Sequence, residues 1–338
     1  MSSISRKRQL AIRACELLRA DRWWSRFDNL PGLLTLNYHR FGDPERSVID
    51  PGVFSATAEQ FEAEISYLAK NCDLIRLEDI PDVMRIGGTR RAVLLTIDDG
   101  YLDNYEIAYP ILKQYNASAV IFLATGFLDA PRVSWWDEVS WIVRQARGRE
   151  IRLPTRWNVE PLTVPVQNWS HVASRILRIV KTLTAVELHE LLEDLAERTR
   201  VGRAPVTPDT APWMTWEMIR EMRRGGIEFG GHTVTHPVLS YCPIDQQRAE
   251  ITESKARIEQ ELGERITAFS YPVGMQTSFT DQTMRLVQEA GYHWAFGFYS
   301  GYSGIASNPF DLRRIAVHPE IGDAEFRMMV NIPRLFGR

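Results

Sequence analysis

The chain has few of the residues that would indicate a disulfide framework, a membrane span or a nucleic-acid partner. It contains three cysteines among 338 residues, Cys15, Cys72 and Cys242. Their odd number and wide spacing argue against a disulfide framework and against a cysteine metal site. No apolar run approaches the ~18 residues of a membrane-spanning helix. A net charge of −3 gives no electrostatic case for a nucleic-acid partner, which would want a basic patch or a strongly basic domain. What is left is a globular protein, for which a hydrophobic content of 44% provides a sizeable core.

The first 30 residues form a segment that precedes the first predicted strand. Residues 1–30 are basic and amphipathic, but they lack the apolar core of about 7–15 residues that marks a signal peptide. They predict an N-terminal amphipathic helix on the surface of a cytoplasmic protein. Basic residues beside Trp23, Trp24 and Phe27 would also suit a helix lying on a membrane surface, so peripheral membrane contact is the alternative.

Two parts of the chain, residues 31–133 and 213–320, show alternating strand and helix patterns. This alternation implies parallel strands joined by crossover helices, and the length suits one α/β barrel. The predicted strands are 33–39, 92–97, 118–124, 227–230, 266–271, 294–298 and 312–317. The predicted helices are 57–71, 105–115, 215–225, 244–262 and 281–290.

The pattern breaks in residues 134–212, which begin with tryptophans and contain proline-rich joints. Segments with helical spacing at 136–147, 172–183 and 185–198 predict a helical insertion in place of a barrel repeat. Residues 321–338 follow the last predicted strand and are expected to form a C-terminal tail.

The strand at 92–97 ends in two adjacent carboxylates, Asp98 and Asp99, in the stretch LLTIDDG. Two carboxylates a few ångströms apart repel each other, so one proton is retained unless a cation neutralises the pair. The structural alternative is a helix cap or a solvated turn, where aspartate is common. The apolar run before the pair indicates a buried approach and favours a functional role.

Two histidines, His232 and His236, follow the predicted strand at 227–230 in the stretch GHTVTHP. Histidines four positions apart can face one cation if the loop begins a helical turn. The alternative is two unrelated surface histidines, but the chain has only seven histidines, so this spacing just after a strand favours a metal site.

Two imidazoles and one carboxylate make a three-ligand site with open positions, which suits Zn²⁺ or another divalent transition metal. The second aspartate is then free to take a proton from a water that the metal activates. The residues therefore indicate metal-assisted hydrolysis.

The stretches TIDDG and HTVTHP resemble the first and second motifs of the polysaccharide deacetylase family, carbohydrate esterase family four, which includes chitin-oligosaccharide and peptidoglycan deacetylases. The stretch LNYH resembles the start of an exopolysaccharide-associated bacterial branch. The resemblance covers roughly residues 33–130 and 213–318 and excludes the insertion. It implies a distorted (β/α) barrel, typically of seven strands.

The same resemblance implies the chemistry and the roles of the polar residues. Asp98 would be the general base, and Asp99, His232 and His236 would hold a divalent metal, Zn²⁺ first and Co²⁺ or Ni²⁺ as alternatives. The reaction would remove an acetyl group from an N-acetylated sugar of a polysaccharide, an oligosaccharide or a lipid-linked precursor. The metal-activated water would attack the acetyl carbonyl.

The third motif of the family, R-x-P-x-G, is matched less closely by Ser270 to Gly274, SYPVG, which lacks the arginine. In the family this arginine orients the base, so Arg313 or, by preference, Arg314 is expected to replace it. The backbone N–H of Tyr271 is expected to help form an oxyanion hole, with Gly274 in the same substrate-binding turn. The alternative is a simple turn.

Three further positions have both a functional and a structural interpretation. His318, after the last predicted strand, resembles the general acid of the family, or it is a strand-end histidine that touches solvent. His39 either lines the site or pairs with a loop carbonyl. Trp135 and Trp136 either stack on sugar rings, which for Trp136 means substrate binding, or anchor the insertion.

Other activities compete with N-deacetylation. The same metal chemistry would serve an O-acetyl esterase or an amidase acting on a non-sugar bond. The absent arginine would also suit a catalytically silent glycan-binding protein. For the N-deacetylase, the O-acetyl esterase and the silent binding protein, the expected ligand is a glycan. The sequence indicates no oligomeric state.

Overall fold

The computed structural model describes residues 32–88, 90–333 and 336. The predicted N-terminal helix at 1–30, with its proposed membrane contact, lies outside these residues. The strands of the described part are β1 Leu34–Tyr38, β2 Arg40–Phe41, β3 Phe54–Ala56, β4 Cys72–Leu74, β5 Arg91–Ile97, β6 Val120–Leu123, β7 Glu150–Ile151, β8 Leu162–Thr163, β9 Glu228–Gly231, β10 Ala268–Ser270, β11 Trp294–Phe296 and β12 Ile315–Ala316.

The α-helices of the same residues alternate with the strands of the barrel and cluster in the insertion. They are α1 Ala58–Asn71, α2 Ile80–Ile86, α3 Tyr109–Gln114, α4 Thr125–Asp129, α5 Trp135–Gln145, α6 Ser170–Val180, α7 Ala185–Thr199, α8 Trp216–Arg224, α9 Ile244–Leu262, α10 Asp281–Glu289 and α11 Asp323–Asn331. None of these helices is both long enough and apolar enough to cross a membrane.

One parallel sheet forms the centre of the fold, in the order β11-β10-β9-β6-β5-β1-β12, with β4 beside β5. Its two ends meet at a parallel bridge between Phe296 and Leu312, so the seven ordered strands curl into a distorted barrel. The expected α/β fold is confirmed. Every residue of β5 is buried, as expected for a parallel sheet that is covered on both faces.

Local sequence signals explain several helix boundaries. Thr57 caps α1 through a capping box, in which the Gln60 N–H donates to Thr57 Oγ1 (3.2 Å) and the Thr57 N–H donates to Gln60 Oε1 (2.9 Å). The helix predicted at 105–115 is divided into a π-helical turn, Asn104–Ala108, and α3. Pro110 has no N–H to donate to the carbonyl four residues earlier, which explains the change in helix type.

The insertion contains α5, α6, α7 and the short antiparallel pair β7–β8. It is attached to the barrel through Asp137 on α5, whose carboxylate accepts hydrogen bonds from Tyr101 Oη (2.7 Å) and Ser134 Oγ (2.6 Å). The segment expected to be a C-terminal tail contains α11. This helix packs on the barrel, since Phe326 is buried and Asn331 O accepts a hydrogen bond from Arg91.

Candidate active site

The two aspartates lie in the sharp turn that follows β5. The backbone N–H of Asp98 donates to Tyr38 O (2.9 Å) and extends the ladder between β1 and β5. The chain then reverses through Asp99 and Gly100, both with positive φ (78° and 91°). A positive φ costs a residue such as aspartate about 1 kcal/mol or more. Both carboxylates are buried, so the fold holds a strained, charged turn inside the protein.

The two histidines follow β9 and converge with Asp99. Asp99 Oδ1 lies 3.4 Å from His232 Nε2 and 3.5 Å from His236 Nε2. His232 Nδ1 lies 2.7 Å from Ser270 O. Because a carbonyl only accepts, this nitrogen must donate, which leaves Nε2 as the nitrogen that faces Asp99.

This group fits a cation. The three ligand atoms all lie within 4.8 Å of one another. Two donors about 2.1 Å from a tetrahedral cation would be about 3.4 Å apart, close to the observed separations from Asp99. Asp99 Oδ1 is buried and has no hydrogen-bond donor among the described residues, an unfavourable state unless a cation compensates for it. Nitrogen and oxygen donors in this combination suit several divalent transition metals.

Burial and neighbouring charges shift the pKa of each member of the group. Burial alone would lower the pKa of His232, but the carboxylates of Asp98 and Asp99 outweigh it and raise the pKa above its usual value. Burial lowers the pKa of His236 to about 3, and the neighbouring His232 acts in the same direction. His236 is therefore neutral at pH 7, the state that a metal ligand needs. Burial alone would raise the pKa of Asp99, but the neighbouring imidazoles of His232 and His236 hold the pKa below its usual value.

The loop that carries the histidines is held by a residue that the sequence analysis missed, Glu250 on α9. Its Oε2 accepts the backbone N–H groups of Val234 (2.7 Å) and Thr235 (2.8 Å), while Oε1 accepts the Thr235 hydroxyl. Such bonds are charge-assisted, and they fix the backbone between the two histidines. The helical spacing of the sequence could have indicated this role. It places Glu250, a charged residue, on the buried face of α9, whose other members are Gln247, Ile251, Ser254 and Ile258.

Asp98 has a different partner, the fully buried Arg314. The guanidinium donates from Nη1 to Asp98 Oδ1 and from Nη2 to Oδ2, both at 2.8 Å. It also donates to Asn37 Oδ1 (2.6 Å), Ser270 Oγ (2.8 Å) and Gly297 O (2.8 Å), so the buried charges are surrounded by hydrogen bonds.

Arg314 compensates for the arginine missing from the third motif. Ser270 stands where the family has arginine, and its small side chain contacts the Arg314 guanidinium that arrives from the segment before β12. Arg313, the other expected substitute, is exposed and lies over the Tyr299 ring (5.6 Å). Burial would raise the pKa of Asp98, but Arg314 outweighs this effect and holds the pKa well below its usual range. Asp98 is therefore a carboxylate at ordinary pH.

A cavity of about 180 Å³ opens above the aspartates and the histidines. His39 lines it with Nε2 3.9 Å from Asp98 Oδ2 and its ring edge-on to Phe298, so its side chain lines the site and does not pair with a loop carbonyl. His318 also lines the cavity and is exposed. The other lining residues are Asp50, Gly52, Val53, Phe54, Ser55, Trp135, Trp136, Leu177, Lys181, Tyr271, Val273 and Val317.

The two tryptophans connect the insertion to the loop that carries the two histidines, residues 232–236. Trp136 Nε1 donates to Tyr101 Oη (2.6 Å), and its ring centroid lies 4.4 Å from that of His236. Trp135 Nε1 donates to His236 O (3.2 Å). Both side chains are buried anchors that also line the cavity, and stacking of Trp136 on a sugar stays a prediction.

Two expectations for the third motif need correction. The backbone N–H of Tyr271 donates to Phe296 O (3.1 Å), so it belongs to the sheet and is not available to an oxyanion. Gly274 does not belong to the cavity lining. Its φ is 60°, and a Cβ atom placed on it would lie 2.5 Å from Phe298 N. This glycine therefore allows the close approach of Phe298, which does line the cavity.

Val273, which the sequence analysis did not single out, lies between these two residues and lines the cavity. Its φ is 62°, an unusual value for a β-branched side chain. Over the described ranges no acceptor is found for its backbone N–H. Strain at a cavity wall and a free N–H are features of a functional turn.

The fold agrees with comparisons to known proteins. A sequence model of the polysaccharide deacetylase family matches residues 86–295, more than half of the chain, and the chain belongs to this family. YxkH of Bacillus subtilis (strain 168), whose own assignment as a polysaccharide deacetylase is provisional, is 22% identical over 238 residues. The match covers 70% of this chain and 56% of YxkH, so the chain spans just over half the length of that curated relative.

Two solved structures share the fold. The deacetylase PplD of Streptococcus pyogenes, in complex with acetate, has a TM-score of 0.57 at 18% identity, covering 87% of this chain and 96% of PplD. The de-N-acetylase of Aggregatibacter actinomycetemcomitans has a TM-score of 0.56 at 18% identity, covering 87% of this chain and 98% of that protein.

Proposed function

We propose that this protein is a metal-dependent hydrolase that removes the acetyl group from an N-acetylated sugar of a polysaccharide, an oligosaccharide or a lipid-linked glycan precursor. The observation that carries the proposal is that the two adjacent aspartates have different partners. Asp99 lies with two histidines, whereas Asp98 is paired with Arg314. Membership of the polysaccharide deacetylase family and the similarity to a de-N-acetylase support it.

Asp99, His232 and His236 would hold the metal, for which we propose Zn²⁺, with Co²⁺ or Ni²⁺ as alternatives. When bound, such a cation lowers the pKa of a water and polarises a carbonyl. Asp98 takes the proton of the attacking water, because Arg314 keeps this carboxylate ionised and fixes both of its oxygens.

Two further groups complete the proposed reaction. The free N–H of Val273 would stabilise the negative charge that develops on the acetyl oxygen. His318, exposed to the cavity, would protonate the leaving amine, and His39, beside Asp98, is the alternative for this step.

The buried Arg314 also bears on the silent glycan-binding alternative. That alternative was favoured by the missing arginine of the third motif, and Arg314 supplies a guanidinium to the same aspartate. A purely binding protein would gain little from a buried ion pair that keeps a cavity carboxylate ionised, so the pair favours an enzyme.

The proposal is tested by product analysis. Protein stripped by a chelator and reloaded with Zn²⁺ is incubated with an N-acetylglucosamine tetramer, and acetate and free amine are both measured. An O-acetylated xylo-oligosaccharide forms a parallel reaction. We expect acetate and amine in equal amounts from the first substrate, lost in the stripped protein and restored by Zn²⁺.

Other products would decide between the alternatives. Acetate from the O-acetylated substrate alone would indicate an esterase. No product from either substrate, with the tetramer still bound, would favour the silent binding protein. Turnover that is independent of metal would contradict the assignment of Asp99 and the histidines.

A further inference from the structure

The insertion supplies one wall of the cavity, and that wall carries a lysine. Lys181 follows α6 and lines the same cavity as the aspartates and the histidines. Its backbone is fixed, because the Lys181 N–H donates to Leu177 O (3.1 Å) and the Leu183 N–H donates to Val180 O (3.1 Å). Lys181 therefore lines the cavity from an ordered turn.

The side chain of Lys181 is exposed, and in the described part of the chain no carboxylate oxygen lies within 4.0 Å of its Nζ. Of the described residues that line the cavity, Lys181 is the only lysine or arginine. The cavity of the described structure thus contains one amine with no carboxylate in salt-bridge contact. Burial lowers the pKa of Lys181, and the more distant Asp50 acts in the opposite direction.

The carboxylates of the cavity have other partners. Asp98 is paired with Arg314, and Asp99 belongs to the metal group. Asp50 is buried and accepts the Gly52 N–H (2.9 Å), and burial raises the pKa of this carboxyl. Asp50 interacts with Lys181 electrostatically, but none of the three carboxylates lies within 4.0 Å of the Lys181 amine, so no direct ion pair occupies it. An ammonium bonds most strongly to an oxyanion, because such hydrogen bonds are charge-assisted.

We propose that Lys181 forms an anion subsite and that the substrate is an acidic N-acetylated glycan. The subsite would take a carboxylate or a phosphate borne close to the N-acetyl sugar. The identity of the sugar rests on the proposed deacetylase function, whereas the preference for an anion rests on Lys181 and the cavity.

The experiment uses the full-length, Zn²⁺-loaded protein and three probes. They are the neutral N-acetylglucosamine tetramer, the same tetramer with a reducing-end phosphate, and a tetramer in which N-acetylglucosamine alternates with glucuronate. Wild type is compared with Lys181→Met, which removes the charge, and Lys181→Arg, which keeps it. Arg178→Met, an exposed position on α6 outside the cavity lining, is the matched control.

We expect the wild type to prefer one of the anionic probes, and the probe preferred identifies carboxylate or phosphate. In Lys181→Met, the ratio of kcat/KM for this probe to kcat/KM for the neutral probe should fall on the order of 10- to 100-fold. Lys181→Arg and Arg178→Met should keep the wild-type ratio. An unchanged ratio in Lys181→Met would overturn the subsite.

Failure of the proposed function can be distinguished from failure of the subsite. If no probe is turned over, the binding of the three probes is measured by calorimetry. Weaker binding of an anionic probe to Lys181→Met than to wild type would still support the subsite. Equal Kd values for anionic and neutral probes in the wild type would reject it.

Discussion

Asp98 and Asp99 are neighbours in the chain, but their carboxylates lie in different electrostatic surroundings. Asp99 faces two imidazoles, whereas Asp98 is held on both oxygens by Arg314. A buried ion pair of this kind is not in itself a source of stability, since desolvation offsets much of the attraction. What it provides is a fixed, ionised carboxylate next to the group of Asp99, His232 and His236.

Arg314→Met should destabilise the protein strongly, because it leaves Asp98 buried and without its cation. Breaking a buried pair from one side costs roughly 3 kcal/mol or more. The free energy of unfolding, from urea titration, measures the effect. Arg313→Met is the control, and because Arg313 is exposed its cost should stay below about 1 kcal/mol.

The double variant Asp98→Asn/Arg314→Met isolates the charge effect. With no unpaired carboxylate left, it should be more stable than Arg314→Met alone. Equal or lower stability of the double variant would show that Arg314 acts through packing and not through the charge of Asp98.

At the scale of elements, helices packed behind the sheet determine the state of the site. Helix α9 fixes the loop of residues 232–236 through Glu250, and α1 places Glu64 against Tyr38 at the end of β1. Neither glutamate lines the cavity: Glu250 supports the loop that carries the histidines, and Glu64 contacts the Tyr38 hydroxyl.

Glu250→Gln should weaken metal binding, because a neutral amide cannot replace a carboxylate that accepts from two backbone N–H groups and a hydroxyl. Loss of a group that orients metal ligands through hydrogen bonds typically lowers metal affinity on the order of 10- to 100-fold. Competition with a chromogenic chelator measures the affinity for Zn²⁺. Glu253→Gln, at an exposed position of the same helix, should bind Zn²⁺ like wild type. Wild-type affinity in Glu250→Gln would contradict the role of this helix.

Glu64 should make stability depend on pH. Burial raises the pKa of Glu64 from 4.5 to about 8, against the opposing effect of the Tyr38 hydrogen bond. Between these values the unfolded chain ionises Glu64 while the folded protein keeps it protonated, so this residue lowers stability as pH rises through the window. Glu64→Gln removes this penalty. Its Tm gain over wild type should grow from near zero at pH 4.5 to a few degrees, roughly, at pH 8.

Thermal scans across this range measure the Glu64 effect. Glu106→Gln, at an exposed position, is the control and should show a difference that does not change with pH. A constant Tm difference for Glu64→Gln would mean that Glu64 is ionised in the folded protein at low pH.

For the whole molecule, the long periodic elements were the most predictable from sequence. The helix predicted at 244–262 is observed as α9, and the strand predicted at 92–97 is β5 with one more residue. Short elements such as α2, α4 and the pair β7–β8 were missed, because they contain too few residues to show a period.

The site was predictable only where its residues form local patterns. The two aspartates and the H-x-x-x-H histidines could be found because each pair is close in sequence. Arg314 lies 216 residues from Asp98, and Glu250 supports a loop 16 residues earlier through its backbone, so their contacts depend on how the barrel closes. The N–H of Tyr271 was assigned wrongly because its sheet partner, Phe296, comes from a neighbouring strand.

The central claim is that the two adjacent aspartates have different functions, Asp98 in proton transfer and Asp99 in metal binding. The most direct measurement is the amount of Zn²⁺ bound per protein in Asp98→Asn and in Asp99→Asn, determined by elemental analysis after dialysis. We predict that Asp98→Asn retains one Zn²⁺ and loses turnover, whereas Asp99→Asn loses the metal. Loss of Zn²⁺ from Asp98→Asn, with retention in Asp99→Asn, would contradict the account.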